Sequence, residues 1–131
     1  MKKKGQVSIE ALMAIAILLI LFIGIYAIYF TKSQELNLAQ KEIKEKEDCT
    51  KIANLLTNTF ILGENTIFIT KTANNLTIEP QNKKIYSENS FCTLVTNQVY
   101  NDDSFLNQTF TIEKGNIRIE NKERRVIVAN V

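Results

Sequence analysis

Cys49 and Cys92 are the only thiols in the chain, and no histidine accompanies them. The pair lacks the Cys-x-x-Cys spacing of a redox or zinc motif. Without imidazole, the usual general base, the usual triads and the commonest transition-metal ligand are missing as well. Two such cysteines can crosslink where their segment meets an oxidising compartment, and two separate buried thiols are the plainer alternative. Asn101-Asp102-Asp103-Ser104 sets two carboxylates among neutral oxygen donors. No Gly-centred loop or distal bidentate Glu follows in EF-hand spacing, so a solvated turn is the better reading than a Ca²⁺ site. Arg124-Arg125 reads as an exposed strand end rather than a phosphate site. Asn75-Leu76-Thr77 and Asn107-Gln108-Thr109 are N-glycosylation sequons. With 14 Asn and 17 Ser or Thr in 131 residues, about two sequons arise by chance, so the use of Asn75 or Asn107 turns on exposure and topology. These residues predict no enzyme, no cofactor and no metal site, and a net charge of +2 predicts no nucleic-acid partner.

The elements that carry these residues begin with a run of a different kind. Ala11–Phe30 holds no charged residue, and only Gly24 falls outside the apolar and aromatic set. At ~1.5 Å per residue such a helix is roughly 30 Å long, the thickness of a bilayer's hydrocarbon core. A soluble core helix would interrupt the run with polar residues every three or four positions. Tyr26 and Tyr29 stand at its far end, where amphipathic rings favour the membrane interface. The exit, Gly24-Ile25-Tyr26-Ala27-Ile28-Tyr29, offers no small-x-small site to a signal peptidase, so the helix is expected to stay. Lys2, Lys3 and Lys4 precede it, while Lys32, Lys41, Lys44 and Lys46 follow. The tight N-terminal cluster favours a single pass with the N-terminus in the cytoplasm.

The residues at the start of this run, Lys2-Lys3-Lys4-Gly5-Gln6-Val7-Ser8-Ile9-Glu10-Ala11, resemble the class III signal peptide of archaeal type IV pilin-like proteins. A short basic leader ending in Gly precedes a Q-x-S-x-E start, which Gln6, Ser8 and Glu10 fill position for position. The resemblance covers residues 2–30. It implies cleavage between Gly5 and Gln6 by a membrane prepilin peptidase that recognises Lys3, Lys4, Gln6, Ser8 and Glu10. It further implies a cytoplasmic-membrane precursor, an assembly ATPase and membrane platform, and a mature cell-surface filament of this chain or related pilins.

Glu10 stands out on physical grounds too. A carboxylate against a membrane helix is costly without a partner. Cleavage after Gly5 would expose an α-amine on Gln6, one helical turn away, whose reference pKa is roughly 7.7–8.0. Between neighbouring subunits, Glu10 and that amine form a pair whose loss leaves a charge in low dielectric, and the pair therefore selects register. The plainer role is a first-turn glutamate favoured by the helix macrodipole.

Beyond Phe30 the helical period continues. Leu36, Ala39 and Ile43 are spaced as an apolar stripe, Glu42 and Lys46 stand at pairing distance, and Ile52, Leu55, Leu56 and Phe60 extend the pattern to a stop at Gly63. A single helix from Gln6 to about Asp48 would be roughly 65 Å long; two helices broken near Thr31 or Asp48 are the alternative. From Asn65 onward the pattern is that of strands, at 67–70, 76–79, 84–86, 91–95, 105–113, 116–120 and 125–129. Lys114-Gly115 and Asn121-Lys122 read as hairpin turns between the last of them.

The predicted fold is α+β: a leader over 1–5, an N-terminal helix over 6–62 with 11–30 in the membrane, and a small antiparallel β-sheet head over 63–131. So small a core gains from a crosslink, and a Cys49–Cys92 bond would staple helix to sheet for ~3–4 kcal/mol by loop-closure entropy. Three function classes follow. They are a structural pilin subunit of an adhesive filament, a minor pilin or tip adhesin with a ligand-binding head, and a membrane-anchored enzyme or sensor. The last lacks a catalytic constellation, and the first is the favoured expectation.

Overall fold

The computed structural model describes residues 2–102 and 107–131, with side chains from Ser8 onward. A single helix, α1, runs over Lys2–Leu62. It is uninterrupted at Thr31 and at Asp48, so the two-helix alternative does not hold. Thr31 is accommodated by turning its hydroxyl back onto the Ala27 carbonyl at 3.0 Å. The helix stops at Gly63, whose φ of +88° is the left-handed conformation that ends helices and that a side chain resists. Two compact units divide the chain, one ending at Gln40 and one spanning Lys41–Val131. The expected boundary at residue 63 marks the change from helix to strand. Residues 41–62 are nonetheless part of the second unit, because that part of the helix carries a share of its core.

Eight strands follow the helix: β1 (Ile67–Thr72), β2 (Leu76–Glu79), β3 (Lys84–Tyr86), β4 (Phe91–Thr93), β5 (Val99–Asn101), β6 (Phe110–Ile112), β7 (Gly115–Lys122) and β8 (Arg125–Asn130). They form two four-stranded sheets, ordered β1-β7-β8-β5 and β4-β3-β2-β6. The α+β class is as the sequence predicts, with two small sheets in place of one. All pairings are antiparallel except β5 with β8, which run parallel. The strand β5 is absent from the expected set because three residues between Asn97 and Asp102 give no alternation to detect.

The chain switches sheets four times, and one switch corrects an expected hairpin. Lys114-Gly115 is not a tight turn between paired neighbours: β6 pairs with β2, whereas β7 pairs with β1 and β8. Gly115, at φ +144°, instead turns a corner between sheets, a place where a missing Cβ relieves the backbone. The expected strand over 105–113 shortens to Phe110–Ile112, with Phe105 outside the described residues. The strand beginning at Phe91 ends at Thr93.

The core lies between the helix and both sheets. Ile52 and Leu56 from α1 are fully buried, as are Leu76, Ile78 and Ile85 from one sheet and Ile117, Ile119 and Val126 from the other. On β7 the alternation is clean: Ile117, Ile119 and Asn121 point inward, and Arg118 and Glu120 face outward as an ion pair at 3.4 Å. The buried face of α1 runs through Glu45, Cys49, Ile52, Leu56 and Thr59. The expected stripe fails at Leu36 and Ile43, which are 63% and 64% exposed. Leu36 lies outside the head unit, and Ile43 points away from the buried face. Glu42 and Lys46 likewise do not pair; the i,i+4 contact that forms is Lys41–Glu45, at 3.7 Å.

The β7–β8 turn sits two residues later than expected. The strands pair as far as Lys122 with Arg125, so Glu123-Arg124, not Asn121-Lys122, makes the connection. Both turn residues have positive φ, 54° and 63°, the signature of a type I′ turn, for which Asn-Gly is the favoured sequence. Arg124→Gly should therefore stabilise the head by about 0.5–1 kcal/mol, and Arg124→Val should destabilise it. Denaturant titration of the detergent-solubilised chain measures both.

Candidate functional site

The first unit is a helix with nothing to pack on. Fifteen large apolar or aromatic side chains between Leu12 and Phe30 are each 54% or more exposed. This is one helix long and apolar enough to cross a membrane, near the N-terminus. Ser8 and Glu10 lie on its first described turns, both exposed. Lys3, Lys4, Gly5 and Gln6 belong to the helical backbone, and their side chains lie outside the described residues. Past Phe30 the surface turns polar, beginning with a Lys32–Glu35 pair at 2.7 Å.

Within the second unit, α1 is fastened to the strands and their loops at several points along its length. Cys49 and Cys92 are bonded, with Cα atoms 6.1 Å apart, a span normal for a disulfide. This joins α1 to β4, the edge strand of its sheet. One turn before Cys49, the buried Glu45 carboxylate accepts the Asn89 backbone N–H at 3.0 Å and its Nδ2 at 3.3 Å, which holds the β3–β4 loop. Asp48 accepts the Thr72 hydroxyl at 2.8 Å and the Ala73 N–H at 2.9 Å, which holds the β1–β2 loop. Near the end of the helix, Asn121 donates from Nδ2 to the Thr59 carbonyl at 2.9 Å. Lys41 reaches Glu88 at 3.0 Å in addition to Glu45. The hydrogen bond and charge of Glu88, with a smaller contribution from Glu45, hold the Lys41 ammonium above the usual lysine value of 10.5. A raised lysine stabilises the fold below its unfolded pKa. This contact therefore persists through neutral pH and is lost only as pH climbs past that value.

Sequence reasoning brings Cys49 and Cys92 together and misses the other fasteners. Glu45 had a usable signal: it stands four residues before Cys49 and seven before Ile52, on the same helix face. Asp48, Thr59 and Asn121 had none, since their partners are remote loops. Arg125 lies over the Tyr100 ring at 5.8 Å, while Arg124 sits in the β7–β8 turn. Of the acidic turn, Asn101 ends β5, Asp102 follows it, and Asp103 and Ser104 lie outside the described residues. Among the described residues no three His, Cys, Asp or Glu side chains converge as a metal would require. Asn75 is exposed just before β2, and Asn107 is half-buried after the undescribed segment.

No protein-family model matches the chain, nor does any curated protein or solved structure.

Non-reducing peptide mapping of protein taken from cells should recover the Cys49–Cys92 linked pair. Reduction should lower the stability of the head by ~3–4 kcal/mol, read as a fall in melting temperature. Free thiols in that material would contradict an oxidising location for the head. Glu45→Ala, which strands the Asn89 N–H, should cost about 1–3 kcal/mol in the same unfolding measurement.

Proposed function

We infer that the chain is a structural pilin subunit. It is made as a membrane precursor with its N-terminus in the cytoplasm, cleaved between Gly5 and Gln6, and assembled through its apolar helix into an extracellular adhesive filament. Its partners are further copies of itself or related pilins, a prepilin peptidase, and the assembly ATPase and membrane platform. The role is mechanical and not catalytic. The observation that carries this reading is the all-round exposure of the helix from Leu12 to Phe30. Burying such side chains is worth about 1.5–3 kcal/mol apiece, so a surface of this kind must be covered by lipid or by other helices. The small crosslinked head that follows supports the same reading, since disulfides persist outside the cytoplasm. The leader Lys2-Lys3-Lys4-Gly5 and the Gln6, Ser8, Glu10 pattern supply the expected processing signal.

Maturation is the first test. Cleavage after Gly5 takes basic against acidic side chains from 16 against 14 to 13 against 14, because Lys2, Lys3 and Lys4 leave together. N-terminal sequencing of exported protein should begin at Gln6. An intact Met1 on assembled protein, or a start beyond residue 30, would end this reading.

Assembly is the second test. Glu10→Gln keeps size and hydrogen bonding and deletes the charge that would face a neighbour's α-amine. Breaking one member of a buried pair costs ~3–5 kcal/mol, and the fault recurs at each subunit. The variant should be processed, inserted and folded, yet yield few or no fibres by electron microscopy, with Glu10→Asp intermediate. Normal fibres from Glu10→Gln would reduce Glu10 to a helix-start residue.

A further inference from the structure

The two sequons are equivalent in sequence and different in the fold. Asn75 lies exposed between the bend after β1 and the start of β2. Its Oδ1 accepts the Lys114 backbone N–H at 2.8 Å, which orients the amide, while Nδ2 has no partner among the described residues. Thr77, the hydroxyl residue of the sequon, is two positions on in β2 and stands opposite Tyr86 of β3. Asn75 also borders an open cavity of about 420 Å³ lined by Asn74, Thr77, Tyr86, Ser87 and Glu88. Asn107 offers the reverse: the residue is half-buried, and its Oδ1 is shut away from solvent.

We propose that Asn75, and not Asn107, carries an N-linked saccharide, whose first sugar residue settles in the cavity beside Tyr86. This rests on the part of the functional reading that puts the head outside the cytoplasmic membrane, and it does not depend on filament formation. In the covalent step, Nδ2 bonds to the anomeric carbon of a saccharide carried on a lipid phosphate. The anomeric C–O bond breaks, its electron pair leaves with the phosphate, and Nδ2 gives up one proton to a base of the transferase. No electrons are exchanged with an oxidant or reductant. The amide carbonyl survives the reaction, so the Lys114 N–H keeps its acceptor, and the N–H that is consumed is one that the fold does not use. If transfer precedes folding the same geometry decides, because the folded head must have room for the sugar, and at Asn75 it has. Tyr86 supplies an apolar ring face for sugar C–H groups, and Asn74, Thr77 and Glu88 supply hydrogen-bonding groups around it.

Glycopeptide mapping of the full-length protein from its native membrane, digested without reduction, tests this. The Asn75 peptide should carry a mass increment of whole saccharide units and the Asn107 peptide none. Asn75→Gln and Thr77→Ala should each abolish the increment, Thr77→Ser should retain it, and Asn107→Gln should leave it unchanged. The same digest reports the Cys49–Cys92 linkage, which separates two kinds of failure. An unmodified Asn75 peptide in disulfide-linked protein overturns the proposal and leaves the exported head standing. An unmodified peptide together with free thiols overturns both, and saccharide on Asn107 overturns the assignment between the two sites.

Discussion

Both sheets are built against one face of α1. The strands of the β4-β3-β2-β6 sheet are three or four residues long, too short to stand alone. The other sheet has three longer strands, β1, β7 and β8, and a short parallel edge. Cys49, Ile52, Ala53 and Leu56 supply what neither sheet can, an apolar surface common to both. That face begins and ends in buried polar residues, Glu45 and Thr59. Each is tied to a different segment of the head, so packing and hydrogen bonding specify the same docking. The apolar residues supply most of the free energy and would tolerate sliding. The carboxylates of Glu45 and Asp48, each satisfied by two donors, would not.

One helical period therefore serves two environments. Up to Phe30 the helix is apolar on every side, and no side of it is preferred. From Lys41 onward only one face is apolar and buried, and the opposite face carries Lys46, Glu47, Thr50 and Asn54 in contact with solvent. The head folds on the second kind of surface and leaves the first kind unused. A segment so exposed contributes nothing to the stability of its own chain, and its composition is explained only by what lies outside the chain.

The apolar run, its stop at Gly63, the strand character of the head and the Cys49–Cys92 bond were legible because each depends on local pattern or on a choice of one. A 20-residue uncharged stretch has few interpretations, and two cysteines allow a single intramolecular pairing. What was not legible depends on which elements become neighbours. Lys114-Gly115 looks like a hairpin because the strands beside it are adjacent in sequence; nothing local says that they enter different sheets. Glu123-Arg124 turns the chain although local turn preference favours Asn121-Lys122, because Asn121 is needed inside, against Thr59. The stripe through Leu36 and Ile43 has helical spacing but lies off the face that continues through Cys49 and Ile52. Periodicity identifies a face without saying which face will be covered. Tertiary pairing overrides local preference at each of these points.

Register is the remaining problem for a helix of this kind. Ala, Leu and Ile repeated on all sides present nearly the same surface after a shift of one turn, about 5.4 Å, so apolar packing among copies discriminates weakly between registers. Discrimination must come from groups whose misplacement is expensive. Between Ser8 and Phe30 the only charged group is Glu10, and it stands at the end where cleavage after Gly5 would create the one opposite charge. A carboxylate held in an apolar bundle is tolerated only opposite its partner, and a displacement of one turn would separate the two and leave both unpaired. In the proposed filament, the residue that a bilayer would accept at its edge, reaching headgroups and water, would become the group that allows one register and penalises the others. On that proposal, uniform apolarity over the rest of the helix would make a single carboxylate sufficient, since no other charged group between Ser8 and Phe30 would compete to set the alignment.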